Sequence, residues 1–159
     1  MLHLVLYQPQ IPPNTGNIGR LCVATACELH LIHPLGFSAE APAVRRAGLD
    51  YWRHLKLTQH EDWRAFRRAH PHARMHFYSK KAERPYTQAP YDSGDFLIFG
   101  SETTGLPEEI MEEFRQDLWT IPMWGPTRSL NLATSVGIVT YEALRQITEN
   151  FSLRMPGGD

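Results

Sequence analysis

Two cysteines in 159 residues are too few for a disulfide framework and make no metal-binding set. Cys22 and Cys27 stand five apart in an apolar segment and read as reduced, buried thiols. No run of about eighteen apolar residues occurs, which leaves no membrane span. The opening MLHLVLYQPQ has neither a basic leader nor a small-residue cleavage site. No signal peptide is therefore read, and the cytoplasm is the expected compartment. GxGxxG, HExxH and GxSxG are all missing. Their absence argues against a Rossmann dinucleotide site, a zincin-type metal site and a hydrolase nucleophile elbow. The histidines show no other ligand spacing, HPHARMH reads as a turn entering a strand, and no metal is expected.

Net charge is also nearly absent, at −1, but its distribution is uneven. Between Arg45 and Arg84 eleven lysines and arginines face only Asp50, Glu61, Asp62 and Glu83, and five histidines lie among them. From Pro85 to Asp117 the balance reverses to eight acids against Arg115. Such asymmetry fits a local phosphate-binding face, and equally a pair of solvated helix faces of opposite sign.

Short β-type runs alternate with helical patterns. HLVLYQP (3–9), LHLIHPL (29–35), RMHFYS (74–79), DFLIFG (95–100) and LWTIPM (118–123) read as strands. The spacing of Ile18, Leu21, Cys22 and Thr25 predicts a helix face, as do Trp63, Phe66 and Ala69 within 61–70. GLPEEIMEEF (105–114) opens with proline and glutamates, a helix start, and residues 131–147 repeat apolar groups at helical spacing. This alternation predicts one α/β domain with a mostly parallel sheet. The domain is expected over residues 1–153 with a disordered tail over 154–159, and residues 80–94 read as an exposed polar loop.

Three polar, glycine-bearing segments follow strand ends, where open α/β sheets bind ligands. In PPNTGNIGR (12–20) the prolines are expected to end the strand and Asn14 to cap the next helix. Gly16 and Gly19 allow close backbone approach, and Arg20 is an arginine within reach of an anion near the helix start. In FGSETTGLPEE (99–109) Gly100 and Gly105 have P-loop spacing, but Leu106 stands where the phosphate-binding lysine would be. The carboxylate of Glu102 suits hydroxyls or a cation. In IPMWGPTRSLNLATS (121–135) Ser129 and Asn131 flank a helix start, and capping explains only one of them.

Taken in order, PPNTGNIGR, FGSETTGLP and IPM…RSLNLATSVGIVTYEALRQ resemble the SPOUT (SpoU-type) RNA ribose 2′-O-methyltransferases over nearly the whole chain. The short length and RRAGLDYW (45–52) are most similar to the TrmL branch, which methylates the tRNA wobble nucleotide. The resemblance implies a C-terminal deep trefoil knot, S-adenosyl-L-methionine as methyl donor without a metal, and a homodimer with a shared active site. The substrate it implies is the anticodon stem-loop of tRNA at position 34, cytidine or carboxymethylaminomethyl-modified uridine, among leucine isoacceptors. At matching positions Arg20 would be the catalytic arginine, with Asn14, Glu102, Ser129 and Asn131 as further catalytic-site residues. Tyr78, Gly100, Ile121 and Ser129 would hold the cofactor, and Arg45, Arg46, Lys80, Lys81 and Tyr141 the RNA. Tyr51 or Trp52 could stack on a loop base. Other readings are the same chemistry at another tRNA or rRNA nucleotide, a non-catalytic RNA-binding knot protein, and a metabolite-binding regulator. Gly19 and the Trp124-Gly125 loop depart from the pattern expected of close relatives.

Overall fold

The computed structural model describes residues 1–38 and 51–148. Arg45, Arg46 and the boundary expected at residue 153 lie outside the described residues.

Leu4 and Leu6 point to one side of the first strand and Val5 to the other, and all three are fully buried. A strand covered on both faces belongs in the middle of a parallel sheet. The six strands are β1 His3–Tyr7, β2 Glu28–Ile32, β3 Leu57–His60, β4 Met75–Tyr78, β5 Phe96–Phe99 and β6 Leu118–Trp119. They lie in the order β3-β2-β1-β5-β4-β6, every pair parallel. Among the described residues the α-helices are α1 Pro12–Thr25, α2 Trp63–Ala69, α3 Glu108–Glu113 and α4 Leu132–Ile147. Helices α1 and α4 cover the face bearing Leu4, Leu29, Leu97 and Phe99. Helices α2 and α3 cover the face bearing Val5, Ile32, Phe77 and Ile98. No described helix is long and apolar enough to cross a membrane.

Several local expectations are corrected. Pro12 and Pro13 do not merely end a strand: they open α1, where a missing N–H costs nothing. The N-cap is Ile11, and Asn14 lies inside the first turn rather than capping it. Strand β6 is two residues long instead of six, because its partner β4 ends at Tyr78 and Thr120 bridges Pro85 instead. Strand β3, LTQH, is an edge strand too polar to read as one from the sequence. Residues 80–94 are not simply exposed: Ala89 and Tyr91 are buried against the core, and Tyr86–Gln88 form a 3-10 turn. Both cysteines are free and buried, and burial pushes both thiols up.

The α2 face of the sheet holds histidine where apolar residues are usual. His30 is buried, and burial, reinforced by His3, His60 and His70, pushes its pKa down to about 3. Burial lowers His3, His60 and His70 as well.

Candidate active site

In chain order β2 and β3 add on one side of β1, and β4 and β5 on the other, so the topological switch point lies between β1 and β5. Ligands of such sheets bind beyond the carboxyl ends of the strands there. The segment after β1 is the first polar motif and the segment after β5 the second.

Glu102 joins them. Its carboxylate accepts hydrogen bonds from the Gln10 amide at 2.7 Å, the Ile11 amide at 3.1 Å and Asn14 Nδ2 at 3.1 Å. Asn14 Oδ1 accepts in turn from Asn131 Nδ2 at 2.9 Å, and Asn131 Oδ1 accepts from the Thr134 amide at 3.2 Å, capping α4. One chain of hydrogen bonds thus ties all three motifs together across up to 117 positions of sequence. The carboxylate sits at the positive end of the α1 dipole, where it stabilises the helix by about 0.3–1 kcal/mol. Glu102 therefore occupies the place an anionic ligand would take at the start of α1.

The loop carrying Glu102 is closed on itself. Ser101 and Gly105 exchange main-chain hydrogen bonds, and Ser101 Oγ lies 2.7 Å from Thr104 Oγ1. Gly105 has a φ of +71°, open to glycine at no steric cost. A Cβ on Gly100 would sit 2.2 Å from the Gly105 carbonyl carbon, so only glycine lets the loop return over the strand end.

Beside this network a cavity of about 630 Å³ opens over the ends of β4, β5 and β6. It is lined by Tyr78, Gly100, Ile121 and Ser129, with Lys80 and Lys81 also contributing. Tyr78 stacks on Phe99 with ring centroids 4.7 Å apart, and its hydroxyl donates to the Tyr91 oxygen at 3.1 Å. Burial pushes the Tyr78 hydroxyl well up, so its part in the lining is that of a neutral ring. The Ile121 main chain enters no hydrogen bond among the described residues. Lys81 Nζ pairs with Glu108 at 2.7 Å, and Lys80 Nζ reaches the Arg128 carbonyl at 3.5 Å.

The sequence-derived site residues thus fall into groups. Asn14, Glu102 and Asn131 form the network and themselves line the cavity; Tyr78, Gly100, Ile121 and Ser129 line it with Lys80 and Lys81. Arg20 is exposed on α1, six residues past Asn14 of the network, and does not line the cavity. Tyr141 is 49% exposed on α4. Tyr51 donates its hydroxyl to the Gly16 carbonyl at 2.9 Å, and the Trp52 ring packs against Gly19. Close approach at Gly19 makes room for Trp52, which answers why a small residue stands there. The sequence did not single out Met111, Leu130 or Leu132, which supply apolar lining through ordinary core-like positions.

A sequence profile of the SpoU rRNA methylase family matches residues 1–141. The chain belongs to this family. Among relatives of this SpoU methylase, the tRNA (cytidine(34)-2′-O)-methyltransferase of Escherichia coli K12 is 45% identical, the match covering 92% of the chain and 94% of the relative. The protein of that name from Methylovorus glucosotrophus is 46% identical, over 92% and 96%. A solved structure concerned with the 2-OH methylation of C/U34 on tRNA superposes with a TM-score of 0.88 at 50% identity, covering 92% of this chain and 95% of that one. The AdoMet-bound rRNA methyltransferase from Sinorhizobium meliloti shares the fold, with a TM-score of 0.84 at 24% identity over 93% of the chain and 57% of the other.

The cavity fits the sulfonium cofactor that the family implies. Its volume is within the range of about 300–1,000 Å³ of small-molecule sites. It combines aliphatic walls for a flat base with hydroxyls and an unpartnered main-chain segment at Ile121 for polar groups.

Proposed function

We propose that this chain is a methyltransferase that transfers a methyl group from S-adenosylmethionine to the ribose 2′-oxygen of the wobble nucleotide of tRNA, cytidine or uridine at position 34. Near full-length identity of 45% to a tRNA (cytidine(34)-2′-O)-methyltransferase, spanning all three motifs, carries this reading.

S-adenosylmethionine, when bound, supplies an electrophilic methyl group. Gly100, Ile121 and Ser129 hold the cofactor largely through main-chain groups, and the Tyr78–Phe99 stack forms a wall of its cavity. Arg20 orients the ribose or an adjoining phosphate and stabilises the negative charge that develops on the 2′-oxygen. Its guanidinium stays protonated and is not the base. Asn14, Glu102 and Asn131 act through others, as positioning residues that fix the start of α1, and with it Arg20, relative to the cavity. Alignment of this kind supplies much of the acceleration in an in-line displacement.

The site is completed across a homodimer. The exposure of Arg20, and its position outside the lining of its own chain's cavity, support a contribution to the partner's site. The trefoil knot belongs to the same proposal. It is supported by the interleaving of the segments after β4 and β6, where Tyr86 donates to the Thr120 carbonyl and Thr120 to the Arg84 carbonyl, both at 2.8 Å. Lys80 and Lys81 beside the cavity, with Arg45, Arg46 and Tyr141, grip the anticodon stem-loop in the cytoplasm. That grip weakens steeply with salt.

The test is incubation with methyl-labelled S-adenosylmethionine and tRNA lacking its methylations, followed by mapping of the label. Label on the wobble ribose is expected; label at another nucleotide would transfer the same chemistry to another target. Arg20→Ala is expected to abolish transfer while cofactor affinity is unchanged. Loss of cofactor binding instead would remove Arg20 from its assigned role.

A further inference from the structure

The histidines of the α2 face belong to neither the cavity nor the hydrogen-bond network, and lie on the opposite side of the sheet from α1 and α4. His30 is 3% exposed on β2, His60 is 7% exposed at the end of β3, and His70 follows the last turn of α2. Their rings converge, with centroids 5.3 Å apart for His30–His60 and for His30–His70, and 5.6 Å for His60–His70. One ring nitrogen from each lies within 4.8 Å of the others. Phe66 and Phe96 close around them.

We infer that His30, His60 and His70 form a binding site for a divalent metal ion of the zinc class, clamping the β3 edge of the sheet to the end of α2. Three donor requirements are met. Imidazole nitrogens suit zinc, copper and nickel, whereas magnesium and calcium ask for oxygen. Two nitrogens on one tetrahedral zinc are about 3.4 Å apart, given bonds of about 2.0–2.1 Å. His30 Nδ1 and His60 Nε2 are hydrogen-bonded at 3.0 Å; a metal would replace that shared proton, His60 carrying its N–H on Nδ1 instead, and His70, partly exposed beyond the helix end, can close the remaining distance. The third requirement is an outer partner that fixes the tautomer of a ligand. With metal on His30 Nδ1, the proton sits on Nε2 and is donated to His3 Nδ1, 3.1 Å away. His3 in turn lies 3.5 Å from the Glu28 carboxylate and stacks on Phe96 at 4.1 Å. No ring nitrogen of His70 has a hydrogen-bond partner among the described residues, leaving its lone pair available. A set of three imidazoles leaves one coordination position, which the partial exposure of His70 opens to water.

Linear spacing gave no hint of this site, because its ligands are 30 and 10 positions apart on three different elements.

The experiment is a titration of the chelator-treated, dialysed full-length protein with cobalt(II), read by visible absorption and followed by zinc competition. We expect saturation at one equivalent per chain, with intense tetrahedral bands that one equivalent of zinc abolishes. Zinc should also raise the thermal midpoint. His70→Gln, at a partly exposed position, removes a ligand and should weaken cobalt binding by more than the roughly 10–100-fold that loss of an outer partner costs. His72→Gln, at an exposed histidine in the turn, should leave it unchanged. His3→Gln should weaken it less than His70→Gln. Absence of saturable cobalt binding, or binding that survives His70→Gln and His60→Gln undiminished, would overturn the inference.

Discussion

Glu102 shows how a residue chosen as a site candidate earns its place through geometry. Its two oxygens receive three N–H donors from the start of α1, an acceptor pattern that only a carboxylate satisfies. Glu102→Gln presents an amide where one oxygen was, turning acceptance into donor–donor repulsion against an N–H. The variant should lose about 1–3 kcal/mol of stability in urea unfolding. Its methyl transfer should fall further than its cofactor affinity, because the cavity wall stays while α1 is displaced. Glu102 also lines the cavity, so equal losses in both would mean that it acts on the cofactor directly and not by positioning α1. Asn131→Ala removes both the α4 cap and the donor to Asn14. It should cost about 1–2 kcal/mol, measured in the same way.

At the scale of elements, legibility followed apolar pattern. Buried central strands such as β1, β4 and β5 carry near-continuous apolar runs and were readable from the sequence. The edge strand β3 was not, since its pairing with β2 is set by backbone register while Thr58 and Gln59 stay exposed. The three motifs were readable as polar segments out of keeping with a core, and their grouping needed the family resemblance. What no sequence pattern contained was the bond between Asn14 and Asn131, because hydrogen bonds across 117 positions leave no periodicity. The histidine cluster escaped for the same reason. Gly100 offers the sharpest test at this scale. Gly100→Ala places a methyl 2.2 Å from backbone that has no flexible end to yield, so the 101–105 loop must move. Cofactor binding, followed by calorimetry, should be lost or severely weakened, with a lowered thermal midpoint.

For the molecule as a whole, acid sensitivity follows from the buried histidines. His30 titrates near pH 3 when folded and near 6.5 when unfolded, and His3, His60 and His70 shift in the same direction. Between those values the unfolded chain binds protons that the folded chain refuses, so stability must fall as pH falls through that window. The groups facing His30 are His3, His60 and His70, with Glu28 acting on His3 and His70 in the opposite sense. Burial alone would raise the Asp95 carboxyl, but hydrogen bonds from His76 and Arg74 hold it low, which extends the loss to still lower pH. Thermal midpoints of chelator-treated protein should therefore decline steadily below about pH 6.5. A flat profile down to pH 4 would show that the histidines are not kept neutral by the fold. The proposed shared active site makes a separate demand. Mixing inactive Arg20→Ala chains with chains whose cavity is filled by Ile121→Trp should restore transfer at one of the two sites of each mixed dimer. No recovery in verified mixed dimers would confine each site to one chain.

The Asn131–Asn14–Glu102 network has a temporal meaning as well as a spatial one. Synthesis delivers Asn14 early, Glu102 two-thirds of the way along, and Asn131 only near the end, just before α4. Until α4 is made and docked, the start of α1 is held on one side only and the cavity lacks the wall formed by residues 128–132. A nascent chain, or one cut short before α4, would leave the ribosome with its strands made, one face of the sheet uncovered and no way to align a cofactor with a ribose. Competence to modify RNA thus arrives all at once, with α4.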